Sequence, residues 1–197
     1  MLDVPIPNNQ VVTVMVAQTT FAVLTMPDKQ FRVDYLEKAE ACLRPGMRGK
    51  FSSCSEHPLL LNYNNRLVTV YINSRPQDPE NLLVVIQQRI EGIFQGWRDW
   101  RGILNGGKRF GEGLLRKNLL DGSGMLLPGA PASVAKAVIG ACSEHGASNY
   151  FHGDLENTSP VGPAFHLLLI GDGYVIARDF RFTEVLTKTP RQLNPES

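Results

Sequence analysis

The stretch 79–104, PENLLVVIQQRIEGIFQGWRDWRGIL, decides the reading of this chain. Asp78 precedes it as a helix cap, Pro79 takes the first helical position, and Glu80 complements the positive end of the helix dipole. Leu83, Ile86, Ile90, Ile93, Phe94, Trp97 and Leu104 recur at helical spacing, while Gln87, Gln88, Glu91 and Arg98 fall mostly on the other side. The pattern predicts one helix over 79–104 whose apolar flank must be covered by a sheet or by another molecule. Gly92 and Gly96, four apart, either permit close packing or weaken that helix.

Outward from this stretch the chain reads mostly as strands. Residues 11–17 and 20–26 are rich in β-branched side chains, and Pro27-Asp28 stops them. Residues 58–63 and 66–72 predict a hairpin through Asn64-Asn65. Residues 164–170 and 174–180 predict a second hairpin over Gly171-Asp172-Gly173. Shorter strands are expected at 50–54 and 148–153. Residues 34–43 read as a short helix ended by Pro45-Gly46, and 134–145 as another, capped by Ser133 and closed by Gly146. The glycine-rich segment 105–131 reads as a long loop or a broken helical region, with helical turns in GEGLLRKNLL.

The expected fold class is therefore α+β. An antiparallel sheet, built from both ends of the chain, packs against the long amphipathic helix and a second, shorter helix. The pattern lacks the regular βαβ alternation of a doubly wound sheet. A chain of 197 residues suits a single domain. A division into 1–75 and 79–197, with the joint at Arg75 to Pro79, is the alternative.

Composition narrows function. With 20 basic and 19 acidic residues the net charge is +1, so no global field draws the chain to nucleic acid. Three cysteines, Cys42, Cys54 and Cys142, make no disulfide framework, and no CxxC pair offers a zinc site. Free thiols predict a cytoplasmic protein. The uncharged run from Val4 to Pro27 is broken by Gln10, Thr13, Gln18, Thr19, Thr20 and Thr25. It reads as strands, and no membrane role is expected.

Three constellations carry chemistry. The first is NGGKRFGEG at 105–113, within a basic stretch over 98–117 that includes Arg98, Arg101, Lys108, Arg109, Arg116 and Lys117. Glycine-turn amides with Lys108 or Arg109 suit phosphate, and Trp97, Trp100 and Phe110 suit stacked bases. The spacing is not that of a phosphate-binding loop, and the bland reading is a solvated connector. The second is His152-Gly153-Asp154 with Glu156 beyond it. In extended backbone these side chains share a face and suit a metal, given a further ligand such as His145 or His166. A polar surface loop has the same sequence.

The third is thiol chemistry with Cys142 as nucleophile, His166 as base and Asp179 as its orienting group. A strand histidine followed by a strand-borne aspartate over 164–180 resembles the histidine hairpin of papain-like enzymes. That resemblance implies a thiol hydrolase. The nucleophile of that family sits at a helix N-terminus, whereas Cys142 falls near a helix C-terminus. A core histidine at 166 with inert buried cysteines is the structural alternative.

The balance favours a non-catalytic protein-interaction or regulatory protein, oligomeric, requiring no cofactor. Its partner, or its own copy, would engage the 79–104 helix near Trp97 and Trp100. A small thiol or metal-assisted hydrolase is the alternative, and a nucleic-acid-binding protein using 98–117 the second.

Overall fold

The computed structural model describes residues 4–156 and 162–185. The chain forms two compact units: residues 1–55 with 165–197, and residues 56–164. Both are built on antiparallel strands, and the class is α+β.

The first unit is a closed six-stranded barrel. Its strands are β1 (Val11–Ala17), β2 (Phe21–Thr25), β3 (Gln30–Cys42), β4 (Arg48–Cys54), β8 (His166–Ile170) and β9 (Gly173–Val185). Their order around the barrel is β1-β2-β3-β9-β8-β4. Alternation drives closure. Val12 and Val14, Ala22 and Leu24, and Phe31, Val33 and Tyr35 point inward to meet Phe51, Leu168, Ile170, Val175 and Ala177. Tyr35 and Phe180 add an edge-to-face ring contact at 6.1 Å.

Residues 34–42 are therefore not helical but the later part of β3, and Leu43 follows the strand. Helix-favouring Leu, Glu, Lys and Ala are overridden there by an 11-pair register with β9, from Gln30↔Val185 to Cys42↔Tyr174. Glu37 takes a left-handed φ of 50° and the register shifts between Lys38 and Glu40. That irregularity breaks the alternation a strand would show in the sequence. Arg178 reaches across to Glu37, and the Tyr174 hydroxyl donates to Glu40. The hairpin of β8 and β9 is present, with Ile170 opposite Gly173 across a two-residue turn.

The second unit holds the three-stranded sheet β6-β5-β7: β5 (Leu67–Ile72), β6 (Gly124–Pro131) and β7 (Asn149–His152). Its helices are α1 (Leu61–Asn64), α2 (Pro79–Phe94), α3 (Gly107–Asp121) and α4 (Ala132–Glu144). Val68, Val70 and Ile72 turn one face of the sheet into a core shared with α2, α3 and α4. Leu67, Thr69 and Tyr71 face the other way. The segment 75–79 leads from β5 into α2 inside this unit, because both partners of β5 lie downstream.

Helix α2 begins as the sequence indicates, with Asp78 Oδ1 accepting from Asn81 N at 3.0 Å. It stops at Phe94, 16 residues long, and does not reach 104. Gln95 and Gly96 adopt left-handed φ values of 51° and 80°, and Trp97 N donates to Phe94 O. A short 3-10 turn follows at Trp100–Ile103, capped by Asp99. The apolar flank of α2, Leu83, Ile86, Ile90 and Phe94, is buried in its own unit.

Two further expectations change. Residues 58–63 form a 3-10 turn and α1, not a strand, because His57 Nδ1 accepts from Leu59 N and Pro58 opens the turn. Of the two readings of segment 105–131 the helical one holds, with GEGLLRKNLL inside a continuous helix. The segment holds α3 and β6. Gly111 is needed in α3, since a Cβ there would lie 2.7 Å from Leu104 Cβ. The predicted helix 134–145 is present as α4, but it begins at Ala132 behind Pro131, so Ser133 lies in its first turn and does not cap it.

Candidate functional site

The barrel carries a cleft of about 380 Å³ lined by Val4, Ile6, Pro7, Asn8, Ser53, Cys54, Ser55 and His166. Pairing of β4 with β8 sets it. Cys54 stands opposite Leu167, which places His166 at the rim beside the end of β4. Asn8 Oδ1 accepts from Ser53 N at 3.0 Å and ties the N-terminal segment to that strand. Cys54 and His166 thus both line the cleft. Burial pushes the Cys54 thiol above its ordinary value, which keeps it protonated and weakly nucleophilic.

The other members of the expected thiol triad are arranged differently. Cys142 lies on α4, fully enclosed in the core of the second unit. Burial pushes its thiol up to about 11. A nucleophile needs exposure and a thiolate, and Cys142 has neither. On β9 the register partner of His166 is Ala177, two residues before Asp179. The Asp179 carboxylate accepts from Phe180 N at 2.8 Å.

The expected binding residues also separate. Trp100 is 2% exposed and belongs to the core, whereas Trp97 is 37% exposed and packs edge-on to the His57 ring at 4.9 Å. The two do not share a helical flank, because the helix has ended before either. Lys108 and Arg109 occupy the first turn of α3, where Arg109 lies 5.1 Å over the Phe110 ring. Much of the basic stretch is neutralised locally. Arg101 pairs with Glu112 at 2.8 Å, Arg116 with Glu80, and Lys117 with Asp121 at 3.1 Å. Of the three aromatic residues expected to stack, Trp100 is inside the core, whereas Trp97 and Phe110 are exposed.

Asp154 Oδ1 accepts from Glu156 N at 3.0 Å, and Glu156 pairs with Lys136. Among the described residues no group of three or more His, Cys, Asp or Glu side chains is placed to hold a metal ion. His152 instead joins a ring cluster on the open face of the three-stranded sheet. Tyr71 and Tyr150 are register partners on β5 and β7, and their rings stack at 4.7 Å and 3°. The His152 ring stands edge-on to both, at 5.7 Å from Tyr71 and 5.9 Å from Tyr150.

Tyr150 is 45% exposed and Leu67, on the same face, 52%. Flat rings with polar tips, held by strand pairing, give a contact surface whose ordering entropy is already spent. The sequence holds the residues of this cluster but not their meeting, which depends on β7 returning to β5 from far along the chain.

No protein-family model, curated protein or solved structure matches the chain. Among the described residues no helix is long and apolar enough to cross a membrane.

Proposed function

We propose that the chain is a non-catalytic protein-interaction module whose contact surface is the Tyr71–Tyr150–His152 ring cluster with Leu67. The observation that carries this reading is a pre-stacked pair of tyrosines, half-buried Tyr71 and exposed Tyr150, on a sheet whose central strand turns Val68, Val70 and Ile72 into a core on the opposite face. Aromatic side chains at such a density favour protein contacts, since they add area at little entropic cost. The module works in the cytoplasm, where its three free thiols stay reduced.

A photo-crosslinking residue, p-benzoylphenylalanine, placed at position 150 of the full chain tests it. The same residue at the exposed Val84 on α2 serves as control. A discrete protein adduct from position 150, absent from position 84, is the expected result. Equal or absent crosslinking at the two positions overturns the reading.

A thiol hydrolase at the barrel cleft is the second reading, favoured by the presence of Cys54 and His166 in its lining. It requires Cys54 to be alkylated by iodoacetamide at neutral pH faster than the exposed Cys42.

A further inference from the structure

The barrel has no sheet edge, because its strands close on one another. The three-stranded sheet has two, and they are treated differently. The outer side of β6 is blocked. Asn105 N donates to Leu126 O at 3.1 Å, Asn118 Nδ2 donates to Met125 O at 2.9 Å, and Pro128 and Pro131 lie on that strand. Among the described residues the outer side of β7 carries none of these devices. It has no proline, no bulge and no charged residue, and among the described residues no strand pairs with it. Phe151 is 43% exposed and Tyr150 45% exposed on opposite faces of the same edge.

We infer that β7 pairs edge to edge, antiparallel, with β7 of a second copy of this chain. The inference rests on the interaction reading above and names its partner. An unpaired edge calls for extended backbone, and an uncharged strand meets its own copy without like-charge repulsion. A two-fold axis sets one residue opposite itself. With Phe151 on the axis, Tyr150 faces His152 of the second copy, so the ring cluster of each copy continues into the other. With Tyr150 on the axis, the two Tyr150 rings would face each other, but Phe151 would face Asn149 and His152 would face Ser148, so fewer rings would meet. Four residues extend about 13 Å, and so short an edge buries less than the roughly 1,200 Å² of a standard stable interface. The dimer therefore forms at high concentration and dissociates on dilution.

Sedimentation of the full chain over a concentration series tests this. The wild type should move from monomer to dimer mass. Phe151→Glu and Phe151→Lys should each remain monomeric, because like charges then face each other across the axis. An equimolar mixture of the two should recover the dimer. A wild type that stays monomeric, a single variant that still dimerises, or a mixture that does not recover would each overturn the pairing.

Amide hydrogen exchange on the wild type guards against misfolded variants. Residues 149–152 should gain protection with concentration while 124–131 do not, and the reverse overturns the proposal. Crosslinking at position 150 separates the two readings. An adduct of twice the chain mass supports both. An adduct of another mass from a monomeric chain removes the self-pairing alone, and no adduct removes both.

Discussion

Cys42, Cys54 and Cys142 experience three degrees of burial, and burial sets their chemistry. Modification by iodoacetamide should run in the order Cys42, Cys54, Cys142, with Cys142 reacting only when the second unit opens. Mass spectrometry of a time course reads that order. Because the folded Cys142 thiol sits near 11 against an ordinary 9.0, its contribution to stability is complete below pH 9.0 and is lost as pH rises through 11. His57 works in the opposite direction. Burial lowers its imidazole below the ordinary 6.5, and the neutral ring accepts from Leu59 N. The unfolded chain then binds the extra proton, so stability falls as pH drops below about 6.5 towards the lowered value. The thermal midpoint should follow that slope, and His57→Asn, which caps without titrating there, should flatten it.

At the scale of single elements, α2 is held by its cap and by its buried flank. Ile90→Ala should cost about 2–5 kcal/mol in denaturant unfolding, and Asp78→Ala about 1 kcal/mol. The two tryptophans should separate in the same assay. Trp100→Ala opens the core and should cost about 3–5 kcal/mol, while Trp97→Ala removes a half-exposed ring and should cost much less. Their difference marks where the helix ends. The start of α2 was legible because Asp78, Pro79 and Glu80 act locally. Its end was not, because apolar residues continue at near-helical spacing through a chain reversal at Gln95-Gly96. Residues 34–43 misled for a related reason. Their propensity is helical, and only the distant β9 makes 34–42 a strand. The ring cluster and the barrel cleft were illegible for the same cause, since each joins segments far apart in the chain.

At the scale of the whole molecule, residues 56–164 are inserted between two adjacent antiparallel strands. Cys54 pairs with Leu167, so the chain leaves the barrel and re-enters it at neighbouring points. Replacing 56–164 by a short Asn-Gly turn should therefore preserve the barrel, since a hairpin needs only such a turn there. Circular dichroism should keep its β signature with a cooperative melt, and amides in β8 should stay protected. Loss of both would show that the barrel depends on the insertion. The same connectivity orders biosynthesis. β3 and β4 leave the ribosome before their partners β9 and β8 exist, and at typical elongation rates the wait is on the order of 5–20 s. During that interval four strands stand unclosed, while the inserted segment already has everything required to collapse first. Slow decoding within 56–164 would prolong the exposure of nascent edges, which makes codon choice in that stretch a determinant of soluble yield.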